Sequence, residues 1–88
     1  SVRGVVDRVA IDGDRVLVLD FKTDRPAPQK VENAPDAYVL QLALYRDVLR
    51  KIFPGKTVEC ALLWTEAPLL MALPDARLDA ALQQFQRS

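Results

Sequence analysis

Asp12-Gly13-Asp14 separates two runs of strand-forming residues, and this placement constrains the fold more than any other feature of the chain. Val2 to Ile11 is rich in Val, and Arg15 to Lys22 reads Arg-Val-Leu-Val-Leu-Asp-Phe-Lys. Aspartate and glycine between two such runs are a strong hairpin signal. Side chains alternate faces along a strand, so the loop length decides which residues of the two strands share a face. A two-residue loop at Asp12-Gly13 sets Asp7 opposite Val18, with Asp20 as its diagonal neighbour. A two-residue loop at Gly13-Asp14 sets Asp7 directly opposite Asp20. Either loop places Asp7, Asp20 and Lys22 on one face, with the two carboxylates roughly 5–8 Å apart at Cβ. A three-residue loop would divide them. The other face then carries Val6, Leu17, Leu19 and Phe21, and these are the predicted core of the hairpin.

Charges leaving an otherwise apolar strand need a ligand or a partner. Two carboxylates this close repel one another and favour binding a cation or a proton. Hard oxygen ligands suit Mg²⁺ or Mn²⁺. An ammonium beside them can stabilise negative charge or help to deprotonate a water. The competing reading is plainer: Asp20–Lys22 and Asp7–Arg8 as solvated salt bridges on an exposed sheet face.

The rest of the chain completes an α/β order. A polar loop with prolines runs from Thr23 to about Asn33. Pro35 and Asp36 open a helix that runs to Ile52, where Pro54-Gly55 ends it. Thr57 to Thr65 is a third strand, and Leu69 to Leu73 is a short fourth. Pro74-Asp75 opens a last helix with Leu78, Leu82 and Phe85 on one stripe. The predicted fold is a mixed β-sheet with flanking helices in β-β-α-β-β-α order. The long helix carries Tyr38, Val39, Leu40, Leu42, Leu44, Tyr45, Val48 and Leu49, apolar nearly all round, so it needs burial on more than one side. An uncovered apolar face is a route to self-association through a second copy. Arg46, Arg50 and Lys51 complement the dipole at its end. Gln41 and Tyr45 lie one turn apart on one face; from the residues alone they read as a boundary residue and a core aromatic. Arg25 and Lys30 read as solvated loop residues and Trp64 as a cap on the core.

At 88 residues the chain is a single domain, 1–88, and its 50% apolar content argues against disorder. Lys+Arg and Asp+Glu number 12 each, so the chain lacks the basic balance of a stand-alone nucleic-acid binder, though not a local basic patch. Cys60 is the single cysteine, so an internal disulfide and an iron–sulfur cluster are excluded, and its apolar run marks an inert buried thiol. No signal-peptide pattern or bilayer-length apolar run is present; the expectation is a cytoplasmic protein with no membrane contact. Ser1-Val2-Arg3 enters a strand without an initiating Met, which reads as a piece of a longer protein.

Asp7, then Asp20-Phe21-Lys22-Thr23, then Gln41 and Tyr45 together resemble the PD-(D/E)-x-K nuclease core, of restriction-endonuclease-like fold, and within it the RecB-like branch. The phrasing Gly4-Val5-Val6-Asp7-Arg8-Val9, Asp20-Phe21-Lys22-Thr23-Asp24 and Tyr38-Val39-Leu40-Gln41-Leu42-Ala43-Leu44-Tyr45 is similar to the C-terminal nuclease domain of the AddA subunit of bacterial AddAB helicase–nucleases. The resemblance covers about Val2 to Leu73. It implies Asp7 and Asp20 as metal ligands, with the Phe21 backbone carbonyl completing part of the shell. It implies Lys22 as the catalytic lysine, and Gln41 and Tyr45 leaning over the site to touch DNA or order a water. The implied activity is Mg²⁺- or Mn²⁺-dependent exonucleolytic cleavage of DNA, beside an ATP-driven helicase and an AddB-like partner, in double-strand break repair and recombination. RecB-like nucleases carry further acid and histidine positions on a helix ahead of the first motif strand, and this chain has no histidine. The N-terminal helical part of the domain is therefore expected to be missing and the isolated piece inactive. The alternatives are a non-catalytic DNA- or protein-binding module and a different RecB-like exonuclease.

Overall fold

The computed structural model describes residues 6–87. Its elements are β1 (Arg8–Asp12), β2 (Arg15–Lys22), α1 (Asp36–Ile52), β3 (Thr57–Trp64), β4 (Leu69–Leu73) and α2 (Asp75–Arg87), with a 3₁₀ turn at Val31–Asn33. The strands form one sheet in the order β1-β2-β3-β4. The outer pairs are antiparallel and the central pair, β2 with β3, is parallel. A parallel neighbour needs a crossover, and α1 supplies it. This is the mixed α/β architecture expected from the sequence.

Asp12 pairs with Arg15, so Gly13 and Asp14 form the two-residue loop. Gly13 sits at φ +60°, in the left-handed region that this tight turn requires. β1 begins at Arg8 rather than upstream. The predicted start of that strand, Val2 to Val5, lies outside the described residues, and Asp7 occupies a bend ahead of the first pair.

The core corrects the face assigned to it. Val16 and Val18 are fully buried, whereas Leu17 and Phe21 are 40% and 38% exposed and Leu19 is half-buried. Alternation decides which residues share a face; it does not decide which face receives the helices. Here both helices pack on the side that carries Asp20. Val39, Leu42, Ala43 and Leu49 of α1 and Leu78 of α2 join Val58, Cys60, Leu62, Trp64, Met71 and Leu73 in one cluster, with Val6 packed at its margin. Cys60 is buried there, its thiol pushed up to about 11 by desolvation, as befits an inert core residue. On the opposite face Leu17, Phe21 and Leu70 remain exposed.

α1 keeps the predicted bounds, with Pro35 at its N-cap and the Phe53 N–H donating to the Leu49 carbonyl at its end. Val48 and Ile52 stay exposed, so part of the apolar circumference is uncovered. Arg46 is not a dipole-compensating surface residue. It is 1% exposed and joins the helices, with Nη1 3.1 Å from Asp75 Oδ1 and Nη2 2.6 Å from Asp79 Oδ1. Arg77 makes a second tie, donating to the Ala34 carbonyl and to Asp36.

Candidate active site

Asp7 sits one residue ahead of the Arg8–Leu19 pair, and its carboxyl meets that of Asp20 beside the C-terminal end of β2. Asp7 leaves the ladder there, and its Oδ2 accepts the Phe21 N–H at 2.7 Å. In a strand the N–H and C=O of one residue point to the same neighbour. The Phe21 carbonyl therefore faces the Asp7 side as well.

Asp20 is 3% exposed, at the edge of the core, while Asp7 is exposed. Lys22 Nζ lies 2.9 Å from Asp20 Oδ2, and the side chains of the pair are 19% and 4% exposed. This is a part-buried ion pair, not the solvated surface bridge of the plainer reading. Burial first, and then the Asp7 carboxyl, push Asp20 above the ordinary carboxylate range, with Lys22 opposing. The Phe21 amide first, and then the contact with Asp20, hold Asp7 below that range. A buried carboxylate beside a second carboxylate and a strand carbonyl is a donor set of hard oxygens. It suits a small divalent cation. Among the described residues no cluster of three or more His, Cys, Asp or Glu accompanies it.

The raised pKa of Asp20 carries a stability consequence. Folding makes Asp20 harder to ionise, so its charge costs stability at neutral pH, and that cost fades as pH falls to the ordinary value near ~4. Asp20→Asn is therefore expected to melt higher than the wild type at neutral pH, with the gap closing toward about pH 4. Thermal melts at the two pH values check this; a lower melting point at neutral pH would mean that the Lys22 ion pair outweighs burial and repulsion.

Of the helix residues singled out from the sequence, Gln41 lines an open groove of about 350 Å³ together with Lys22, Tyr38, Leu40, Leu44 and Phe85. Tyr45, one turn on, packs half-buried against the core. Arg25 pairs with Glu66 at 2.6 Å on the surface, and Lys30 is exposed. Trp64 is fully buried beside the site, its Nε1 without a hydrogen-bond partner among the described residues.

Two residues at the site carried no role in the sequence reading. Tyr38 places its ring under the Lys22 ammonium, 4.2 Å from Nζ to the centroid. Asp24 accepts the Tyr38 hydroxyl at 3.0 and 3.1 Å. The signals were present: Tyr38 precedes Gln41 by three, one helical turn on the same face, and Asp24 follows Lys22 by two.

The family model of the PD-(D/E)XK nuclease superfamily matches residues 1–86. The chain is 34% identical over 64 residues to the ATP-dependent helicase/nuclease A-subunit of Clostridium perfringens (strain 13 / Type A), across 73% of this chain and 5% of that protein. It is 34% identical over 65 residues to the protein of the same name from Streptococcus uberis (strain ATCC BAA-854 / 0140J), across 70% of this chain and 5% of that protein. The chain thus spans about 5% of the length of the curated relatives it matches. No solved structure matches it. The acid ahead of an acid-x-lysine strand, the crossover helix and the parallel third strand agree with the family match over nearly the whole chain: it belongs to the PD-(D/E)XK nuclease superfamily.

Proposed function

We propose that this chain is part of the nuclease domain of a helicase–nuclease that hydrolyses DNA phosphodiester bonds with the help of Mg²⁺ or Mn²⁺. One observation carries the reading: Asp7 and Asp20 converge with Lys22 at the end of β2, and the inner carboxylate is buried at the edge of the core. In this reading Asp7, Asp20 and the Phe21 carbonyl hold the cation. The cation would polarise a phosphoryl oxygen and lower the pKa of a water. The Phe21 amide holds Asp7 ionised and fixes its direction. Lys22 extends from the same face, where its ammonium can neutralise charge that develops on a phosphate. Gln41 faces the groove beside Lys22, where it can orient substrate or a water. Tyr45 would support that helix face from the core side. The names of the relatives support a setting beside an ATP-driven motor. In that setting the work is DNA processing in break repair and recombination, with an AddB-like protein as partner.

The described residues supply two carboxylates, and Mg²⁺ favours a nearly complete octahedral shell. The 88-residue chain alone is therefore expected to bind Mn²⁺ weakly and to cut DNA poorly. A longer protein carrying the preceding helical segment is expected to bind tightly and cut. Calorimetry with Mn²⁺ and a cleavage assay on both forms test this. No Mn²⁺ binding and no cleavage by the longer form would leave a non-catalytic binding module as the better reading. Equal affinity and activity in the two would show that the preceding segment is unnecessary.

A further inference from the structure

Lysine is a flexible four-carbon stem with a strongly hydrated point charge, so an ammonium that must act at one place needs more than one contact to hold it there. Lys22 has two. Asp20 Oδ2 is the first, at 2.9 Å. The Tyr38 ring is the second, at 4.2 Å from Nζ to the centroid, with the ammonium over the electron-rich face. The ring is itself held on two sides. Its hydroxyl donates to the carboxylate of Asp24, 3.0 and 3.1 Å from the two oxygens, and Asp24 lies in the loop just after β2. The ring also leans on Trp64, with centroids 6.0 Å apart and planes at 45°. Trp64 is fully buried and pairs with Lys22 across the parallel strands, so the support belongs to the core of the sheet. Loop and sheet thus each contribute one residue to a bracket around a ring that the helix carries.

We propose that Tyr38 is a positioning residue for Lys22: its ring, braced by Asp24 and Trp64, is a platform that keeps the ammonium at the carboxylate pair. The part of this that concerns catalysis rests on the nuclease reading above. The platform acts through the ring face, and the hydroxyl serves only to anchor the ring.

Two measurements test this, and they fail separately. The first is NMR of the Lys22 ε-methylene protons in the 88-residue chain. A ring-current shift is expected in the wild type, kept in Tyr38→Phe and lost in Tyr38→Leu. The second is single-turnover DNA cleavage with Mn²⁺, together with DNA affinity, in the longer protein. Tyr38→Leu is expected to slow cleavage about 10- to 100-fold, the scale of a misplaced catalytic group, with unchanged affinity. Tyr38→Phe is expected to stay close to the wild-type rate. Adding Tyr38→Leu to Lys22→Ala should slow cleavage no further, because the ring acts through the lysine. If Tyr38→Leu does not fold, Tyr38→Met replaces it: a flexible apolar side chain fills the space without a ring, and it should lose both the shift and the rate in the same way. Wild-type cleavage by Tyr38→Leu, or a Tyr38→Phe variant as slow as Tyr38→Leu, would overturn the proposal. An active nuclease without the ring-current signature would overturn the platform alone. The signature in a longer protein that does not cleave DNA would support the platform and overturn the nuclease reading.

Discussion

Lys22→Ala is expected to slow DNA cleavage in the longer protein by about two to three orders of magnitude while leaving DNA affinity and folding nearly intact. A charge that meets the substrate mainly as the transition state forms is lost from turnover, not from ground-state binding. Donors of this kind are typically worth ~10²–10³-fold in rate. The ammonium has a defined place to act from, 2.9 Å from Asp20 and at the mouth of the groove that Gln41 also lines. Stability should change by only a few degrees, because Asp20 can take up a proton once its cation is gone. Asp20→Ala should behave differently, losing Mn²⁺ affinity along with turnover. Single-turnover rates, DNA affinity, Mn²⁺ calorimetry and melting temperatures on both variants separate these outcomes. Near wild-type cleavage by Lys22→Ala would reduce the lysine to an ion-pair partner.

The second large effect is expected far from the carboxylates. Asp75→Ala combined with Asp79→Ala strips both close partners from Arg46, whose guanidinium is buried between α1 and α2. Its Nε already lacks a hydrogen-bond partner among the described residues, and Asp47 stands 4.0 Å away. Leaving a buried charge without partners costs on the order of 3 kcal/mol. For a domain of this size that lowers the melting temperature by roughly 10–20 °C. Arg46→Met should do much less harm, because replacing a buried ion pair by an apolar side chain is often close to neutral. A double variant that melts within two or three degrees of the wild type would show that the clasp contributes little and that apolar packing around Leu78 holds α2 in place.

The contrast between these two regions explains what was legible in the sequence. The shared face of Asp7, Asp20 and Lys22 followed from a turn signal and a period of two, both local properties, and the register agrees. The bounds of α1 and β4 followed from proline, glycine and apolar periodicity in the same way. The core face did not, because β2 is apolar on both sides and only the packing of the helices distinguishes Val16 and Val18 from Leu17 and Phe21. Arg46 is followed by two more basic residues at a helix end, and its partners lie 29 and 33 residues later, beyond any local signal. Tyr38 was visible as an aromatic residue but not as a lysine support, since Trp64 and Asp24 come to it from a different strand and a loop.

Phe21 ties the two sides of the sheet together. Its amide is the hook on which the Asp7 carboxylate hangs, while its ring lies among the exposed apolar residues on the back of the sheet. The sheet is one residue thick at this point, so no layer of packing insulates the back from the front. Any surface that settles over Leu17, Phe21 and Leu70 and moves the backbone of that strand moves the hydrogen bond that aims Asp7. Whatever covers the rear of this domain thereby becomes a setscrew on the distance between its two carboxylates.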